Sequence, residues 1–276
     1  MTLDKSSHRI RQMFGEIAGR YDLLNRLLSC GIDRSWRRRT VKLAPPTDDG
    51  PILDVCTGTA DLALAYWRAG RGRVPIVGTD FCLPMLEIGR RKCQRVVGQV
   101  VNLPGSSEPG MARCQPAPQA ITLLEADTLR LPFLDNIFQI VCVAFGLRNV
   151  ADLDAGLREM TRVCRPGGRV AILEFSTPTL WPLGTLYGWY FQHVLPRVGQ
   201  ALARNSQAAY NYLPQSVRRF PQAESLAERM RAAGLCETEH HRFTFGIATL
   251  YLGTKPPQED RHSCLSGETT PSSLLH

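Results

Sequence analysis

The sequence lacks the long apolar runs and paired cysteines that mark a membrane span or a metal centre. None of its apolar stretches reaches the roughly 18 residues that cross a bilayer. The first residues also lack the apolar core of a secretory signal. The nine cysteines are scattered, and no two of them have the spacing of a zinc knuckle. We therefore expect reduced thiols in the core, no metal, and a cytoplasmic protein.

Acidic residues are outnumbered, and the formal net charge is +8. Much of the excess lies in two basic clusters, at residues 34–42 and 90–95. Such clusters form solvated helix faces, or they attract an anionic membrane surface or a nucleic acid. Charge alone leaves these interpretations open.

Strand and helix patterns alternate along the chain. Apolar spacing predicts one or two amphipathic helices at 10–28, in an N-terminal helical cap (1–44) that precedes the main domain (45–257). The predicted strands lie at 52–56, 75–80, 121–127, 138–145, 169–175, 237–245 and 248–253. The predicted helices lie at 61–69, 84–97, 152–164 and 222–233, and 165–168 reads as a turn. This order predicts an α/β fold, with a mostly parallel sheet of seven strands between helices.

Three segments depart from that alternation. Residues 99–119 are rich in Pro and Gly and predict a flexible insertion, and 258–276 predict a disordered tail. Residues 178–220 concentrate large aromatic side chains. These side chains belong either to helices packed on the sheet or to a cap over an apolar substrate pocket.

The loop at 54–61 follows the first strand and opens into a helix, which is an arrangement that binds ligands through backbone N–H groups. Between Asp54 and the helix the loop has one glycine, Gly58, so it suits an adenosine with a cationic amino-acid tail better than a pyrophosphate. Asp80 ends the second strand, where a carboxylate accepts from ribose hydroxyls. Asp127 and Thr128 follow at the third strand, within reach of an adenine ring. Successive strand ends share one edge of a sheet, so we expect one site.

Longer segments resemble the ubiquinone/menaquinone biosynthesis C-methyltransferase family. They occur in the family's order and span about residues 10 to 255. The segments are MFGEIAGRYD at 13–22, LDVCTGTAD at 53–61, FGLRNV at 145–150, RVCRPGG at 162–168, LEFS at 173–176 and HVLPR at 193–197.

The resemblance implies a class I S-adenosylmethionine-dependent methyltransferase with a Rossmann-like fold, which methylates a ring carbon of a polyprenylated quinol. Thr59, Asp80, Asp127 and Thr128 match the positions that hold the cofactor, S-adenosyl-L-methionine. Ala144 stands where the family often has a serine that contacts the cofactor. The form of the loop at 54–61 resembles the menaquinone branch, which makes demethylmenaquinol the expected substrate and a benzoquinol of the ubiquinone pathway the alternative.

Four side chains are candidates for the chemistry of methyl transfer. Arg148 follows the fourth strand, where it stabilises a developing phenolate or orients a water, or else ties the loop by hydrogen bonds. Tyr21 and Asp22 are expected on a helix that folds over the site, with Asp22 as a proton acceptor. His193 is the other titratable candidate, although a histidine among aromatics also packs without catalysing.

Other functions fit parts of the same pattern. One is a methyltransferase for RNA or another small molecule, and another is a non-catalytic cofactor-binding subunit of a quinone-synthesis complex. We expect no nucleic acid partner, because the aromatics are not interleaved with Lys and Arg along one face. The expected partners are the quinol and, transiently, the inner membrane surface, with the cluster at 34–42 as contact; a homodimer is left open.

Overall fold

The computed structural model describes residues 7–29, 31–48, 50–101, 121–178 and 207–257. The helices are α1 (Ser7–Leu28), α2 (Asp33–Leu43), α3 (Asp61–Ala69), α4 (Leu83–Val101), α5 (Leu153–Val163), α6 (Gln207–Arg219) and α7 (Glu224–Ala232). The strands are β1 (Ile52–Val55), β2 (Ile76–Asp80), β3 (Ile121–Glu125), β4 (Phe138–Ala144), β5 (Cys164–Phe175), β6 (Cys236–Phe243) and β7 (Ala248–Thr254). Short 3-10 turns lie at Leu147–Asn149 and Thr244–Gly246.

The strands form one sheet in the order β3-β2-β1-β4-β5-β7-β6. Strands β1 to β5 pair in parallel, and β7 pairs antiparallel with both β5 and β6. The chain order reverses between β1 and β4, which are neighbours. In an open α/β sheet the crevice beyond the carboxyl ends of two such strands binds the ligand. The topology therefore brings the loop after β1 and the segment after β4 to one place.

Helices cover both faces of the sheet, because the central strands are apolar on both faces. Trp36 of α2, Trp67 of α3 and Leu86 of α4 pack on one face in a core that includes Ile52. On the other face, the core around Leu53 of β1 is formed with helices α5 and α7, which contribute Leu157, Met160, Leu226 and Met230. Each fully buried side chain of this size contributes about 1.5–3 kcal/mol to stability.

Helix α1 lies against α4 at the carboxyl edge of the sheet. Ile10 and Met13 pack with Tyr212 of α6, while Ala18 packs with Cys82 and Met85. The N-terminal pattern thus folds into one helix, followed by α2, which the sequence analysis treated only as a basic cluster. No helix in the described part of the chain is long and apolar enough to cross a membrane.

Three of the differences from the predicted boundaries bear on the sheet and the site. The fifth strand starts at Cys164, ahead of the predicted turn at 165–168, because Cys164 pairs with Phe138 and the N–H of Gly167 donates to the carbonyl of Lys255. The third strand ends at Glu125, so Asp127 lies in the following loop. Helix α4 extends into the predicted insertion as far as Val101.

Several predictions concern residues outside the described ranges. These are His193 as a titratable candidate, most of the aromatic-rich segment at 178–220, the insertion beyond residue 101 and the tail at 258–276. They stay predictions.

Candidate functional site

The loop after β1 is fixed by hydrogen bonds of its own side chains. Asp54 is buried and accepts from the Thr57 hydroxyl at 2.6 Å and from the Ala63 N–H at 3.1 Å. The carboxylate thereby ties the loop to the first turn of α3. Cys56, Gly58 and Ala60 all have positive φ, between 49° and 65°. That conformation suits the glycine and is strained for the other two, and such strain clusters at functional sites.

Asp80, at the end of β2, reaches across to the same loop. One carboxylate oxygen accepts from the Gly58 N–H at 2.8 Å, and the other accepts from the Cys82 N–H at 2.8 Å. Burial raises the pKa of Asp80 to about 6 and that of Asp54 to about 7. Two acids with raised pKa values in one crevice are typical of a binding or catalytic site.

Two adjoining pockets open at this edge. The first, the strand-end pocket, is lined by residues of β2, β4, α1 and α4 and of the loops after β1, β3 and β4. They include Tyr21, Gly58, Asp80, Met85, Asp127, Thr128, Ala144 and Asn149. The second, the loop pocket, is lined by residues that include Arg37, Asp54, Thr57, Thr59 and Asp61. The pockets share Tyr21, Cys56, Gly58 and Ala144. All the cofactor positions predicted from the sequence therefore line one pocket or the other.

Asp127 and Thr128 line the strand-end pocket from the loop after β3. Asp127 is exposed, and its carboxylate accepts from the Leu129 N–H at 3.0 Å, which fixes the side chain in a tight turn. The Thr128 hydroxyl lies 3.2 Å from the Cys56 sulfur. This contact joins the loop after β3 to the loop after β1.

The segment after β4 closes against Cys56. Phe145 has a positive φ of 60°, and Gly146 lies so close that a Cβ there would be 2.3 Å from the Cys56 Cβ. Only glycine fits at that approach. The glycine of the FGLRNV segment is therefore required by packing against Cys56, whatever chemical role the segment has.

Arg148 is buried and does not line either described pocket. Its guanidinium donates to the carboxylate of Glu174 at 3.0 Å and to the carbonyl of Phe145, and it lies 5.4 Å from the Phe175 ring centroid. Glu174 also accepts from the Arg148 N–H at 3.1 Å. The geometry favours the loop-tying interpretation of Arg148, and a catalytic role is a proposal.

Tyr21 and Asp22 approach the site from α1, as predicted. Tyr21 lines both pockets, and burial raises the pKa of its hydroxyl, which keeps the phenol neutral. Asp22 accepts from the Thr59 hydroxyl at 2.6 Å and from Lys92 at 2.9 Å. Lys92 also donates to Asp61 and to Thr59. Both oxygens of Asp22 are therefore engaged in holding α1 to the loop.

Sequence reasoning missed the roles of Arg37 and Lys92, which it assigned to surface clusters. Arg37 is buried, and Lys92 is largely enclosed by its acidic partners. The signal for Arg37 was Asp33, one helical turn before it, with which it forms an ion pair. Lys92 carried no comparable signal, because Asp22 and Asp61 are distant in sequence and meet it only in the fold.

The residues present fit a ligand with an adenosine and a zwitterionic tail. Asn149 lines the strand-end pocket, and its buried side-chain oxygen has no hydrogen-bond partner among the described residues. The loop pocket presents two acids and one arginine. An unpartnered buried polar atom is costly unless a ligand or water satisfies it.

Comparison with known proteins identifies the family. The model of the ubiE/COQ5 methyltransferase family matches residues 2–255. The chain belongs to that family.

Two curated relatives illustrate the likeness. The ubiquinone/menaquinone biosynthesis C-methyltransferase UbiE of Geobacter sp. (strain M21) is 45% identical over 253 residues, covering 92% of this chain and 99% of that protein. The demethylmenaquinone methyltransferase of Thermus thermophilus (strain ATCC BAA-163) is 44% identical over 244 residues, covering 88% and 100%. This member of the ubiE/COQ5 family is thus an S-adenosylmethionine-dependent methyltransferase, as the resemblance implied.

Solved structures agree on the fold. A structure described as a SAM-dependent methyltransferase, possible histamine N-methyltransferase, from Thermotoga maritima has a TM-score of 0.57 at 17% identity and covers 88% of this chain and 98% of its own. At that identity the likeness shows the fold alone. The predicted class I, Rossmann-like architecture is confirmed.

Proposed function

We propose that this ubiE/COQ5 family member transfers a methyl group from S-adenosylmethionine to a ring carbon of demethylmenaquinol, in the biosynthesis of menaquinone. The relatives from Thermus thermophilus and Bacteroides fragilis carry the name demethylmenaquinone methyltransferase. The observation that carries the proposal is the convergence of the loop after β1, Asp80 and the FGLRNV segment at one switch point. Family membership supplies the reaction, and the acceptor is inferred from the relatives' names.

The cofactor's adenosine is assigned to the strand-end pocket. Asp80 would accept from ribose hydroxyls, because its carboxylate lines this pocket and is held in place by the N–H groups of Gly58 and Cys82. Asp127 and Thr128, which line the same pocket, would contact the adenine. Ala144 lies where the two pockets join, so it leaves room there and offers no hydroxyl. Thr59 would act indirectly, since its hydroxyl holds Asp22.

The acceptor ring is assigned to the mouth of the strand-end pocket, beside Phe14, Tyr21 and Phe81. When bound, S-adenosylmethionine supplies an electrophilic methyl group on a sulfonium. The protein's part is to position the ring carbon and exclude water, which accounts for a large share of the barrier reduction in such transfers. Tyr21, whose pKa is raised, would donate a hydrogen bond to the quinol oxygen rather than remove its proton. Arg148 lines neither pocket and is paired with Glu174, so its part in stabilising the phenolate would be indirect, through the position of the FGLRNV loop that it holds.

The decisive experiment is methyl transfer by the purified chain. Labelled S-adenosylmethionine is offered with demethylmenaquinol, with a polyprenylated benzoquinol that lacks the ring methyl, or with short RNA. We expect label on the naphthoquinol carbon. Label on the benzoquinol alone would assign the protein to the ubiquinone pathway instead. Label on RNA would refute the proposal, and so would a protein that binds the cofactor but labels no acceptor.

Asp80 tests the cofactor assignment separately. Asp80→Ala and Asp80→Asn should abolish measurable S-adenosylmethionine binding in calorimetric titration, because the ribose loses its carboxylate acceptor. Glu87→Gln, an exposed acid on α4, is the matched control and should bind normally. Unchanged affinity in Asp80→Asn would overturn this map of the site. Circular dichroism melting shows whether either variant has simply unfolded.

A lipid substrate also implies a membrane contact, and we propose that the exposed basic face of α2 provides it. Arg34, Arg38, Arg39 and Lys42 are exposed on that helix, whereas Arg37 turns inward. This surface is smaller than the cluster at 34–42 that was predicted from the sequence, because Arg37 is buried and lines the loop pocket.

A further inference from the structure

Arg37 is the exception in its basic cluster. Its neighbours Arg38 and Arg39 are exposed, whereas Arg37 is 7% exposed and lines the loop pocket with Asp54, Thr59 and Asp61. Burying a guanidinium carries a large desolvation cost unless partners offset it.

Arg37 has more N–H donors than its partners in the protein accept from. One terminal nitrogen is paired with Asp33 on the same helix and lies 4.0 Å from a carboxylate oxygen of Asp61. The guanidinium carbon lies 5.5 Å from the Phe145 ring centroid. The Nε atom is buried without a hydrogen-bond partner among the described residues. A guanidinium has five N–H donors in a planar fork, so this side chain retains capacity for a planar anion.

The other nearby cation is not available for such an anion. Lys92 donates to Asp22, Asp61 and Thr59, which accounts for its three ammonium hydrogens. It does not line either described pocket. Among the described residues that line the two pockets, Arg37 alone carries a positive charge.

The loop pocket therefore offers both signs of charge. Asp54 and Asp61 are acidic, and the charges of Arg37 and Lys92 lower the pKa of Asp61 despite its burial. The tail of S-adenosylmethionine is an α-amino acid with an ammonium and a carboxylate. Acids alone would accept the ammonium and repel the carboxylate, so a tail site needs a cation as well.

We propose that Arg37 binds the carboxylate of the methionine tail of S-adenosylmethionine, and that the loop pocket is the site of that tail. The adenosine then occupies the adjoining strand-end pocket, and the shared residues Tyr21, Cys56, Gly58 and Ala144 lie where the two parts of the cofactor join. The proposal rests on the S-adenosylmethionine part of the proposed function and not on the identity of the acceptor. Its failure would therefore leave the quinol assignment unchanged.

A purely structural role predicts something different. If Arg37 serves only to hold α2 against the loop through Asp61, its loss disturbs the whole site and weakens the binding of every ligand. If it binds the carboxylate, its loss weakens only ligands that carry the tail. Two ligands separate these roles: S-adenosylhomocysteine, which has the amino-acid tail, and 5′-methylthioadenosine, which lacks it.

The test measures both affinities by calorimetric titration in wild type, Arg37→Gln and the control Arg38→Gln. A charged hydrogen bond of this kind changes affinity by about 10- to 100-fold. Arg37→Gln should lose S-adenosylhomocysteine affinity by that factor and keep wild-type affinity for 5′-methylthioadenosine. Arg38→Gln should leave both unchanged, and Arg37→Lys should recover part of the loss, because its charge remains without the planar fork.

Two results would overturn the proposal. Wild-type affinity of Arg37→Gln for S-adenosylhomocysteine would show that the guanidinium does not contact the tail. Equal losses for both ligands would show that Arg37 acts only through the structure of α2. If Arg37→Gln fails to fold, the same pair of titrations on Arg37→Lys decides: a loss confined to S-adenosylhomocysteine supports the proposal, and equal losses refute it.

Discussion

At the scale of single residues, the site is made of buried charges that the fold only partly compensates. Asp54 is 1% exposed and Asp80 is 8% exposed, and burial raises the pKa of each carboxyl. Their hydrogen bonds to Thr57, Gly58 and Cys82 oppose that rise without cancelling it. A ligand with hydroxyls and an ammonium offers what the protein itself does not supply.

The pH dependence of stability follows from Asp54. Because its folded pKa of about 7 lies above the usual 3.8, the folded state retains a proton that the unfolded state has lost. The contribution of Asp54 to stability is fully present below pH 3.8, and it is lost as the pH rises through the folded-state pKa of about 7. In urea unfolding without cofactor, wild type should lose about 2–3 kcal/mol more than Asp54→Asn between pH 5 and pH 8. Parallel pH profiles for the two proteins would refute the raised pKa.

Arg148 and Glu174 form a buried ion pair that must be tested as a pair. Glu174 is fully buried, so Arg148→Ala leaves an unpaired charge and should destabilise the protein by about 3–5 kcal/mol. The double variant Arg148→Met with Glu174→Gln removes both charges and should regain most of that stability. We expect both variants to bind S-adenosylhomocysteine normally and to be slow in single turnover.

The double variant is the informative one for catalysis. It separates the effect of leaving Glu174 without a partner from the effect of losing the Arg148 guanidinium itself. A normal single-turnover rate in that variant would remove Arg148 from the mechanism and leave it as the tie of the FGLRNV loop.

At the scale of elements, the site depends on how two loops meet. The loop after β1 and the segment after β4 approach at Cys56 and Gly146, while α1 is fastened across them through Asp22 and Lys92. Neither loop is long. Their conformations are instead set by positive φ values at Cys56 and Phe145 and by the close backbone approach.

Gly146→Ala should disrupt that junction. The added Cβ would lie 2.3 Å from the Cys56 Cβ, so one loop must move, which costs about 1–3 kcal/mol of stability and weakens cofactor binding. Cys56→Gly removes the opposing atom at a position with φ of 49°, where glycine is unstrained. The double variant should recover both thermal stability and affinity. Gly19→Ala, with open space around the new Cβ, is the control.

Failure of Cys56→Gly to rescue Gly146→Ala would contradict this account. It would show that Gly146 is required for a reason other than the approach of the two loops.

At the scale of the whole molecule, the net charge of +8 is unevenly used. Some of the positive charges, those of Arg37 and Lys92, are paired with acids inside the site. Others are exposed to solvent on α2. The proposed docking through α2 would turn the pocket edge, rather than the opposite edge of the sheet, toward the membrane.

The docking proposal predicts which charges matter. Reversing Arg34 and Arg38 to Glu should weaken co-sedimentation with phosphatidylglycerol vesicles by at least about tenfold, since each basic residue near such a surface contributes about 1 kcal/mol. Reversing Arg71 and Arg73, which are exposed just before β2 at the opposite edge, makes the same charge change and should have a smaller effect. Equal losses in the two variants would refute a specific docking face.

Much of the fold was predictable because local patterns dictate it. The buried strands β1, β2 and β4 and helix α3 follow from short apolar runs and a helix start at Asp61, and their predicted bounds are nearly correct. The start of β5 was wrong, because Pro and Gly at 166–168 are typical of a turn, and only pairing with β4 and the chain after β7 holds them in the sheet.

The sequence by itself determined the cofactor class, and it predicted which residues meet at one edge of the sheet, since strand-end acids and a short loop are local features that topology must gather there. Only the tertiary structure decided what each charge does. It turned Arg37 inward, paired Lys92 with Asp22 and Asp61, and set Glu174 against Arg148. The physical reason is that the partner and the burial of a charged side chain depend on residues far away in sequence, whereas helix and strand formation depends mainly on neighbours.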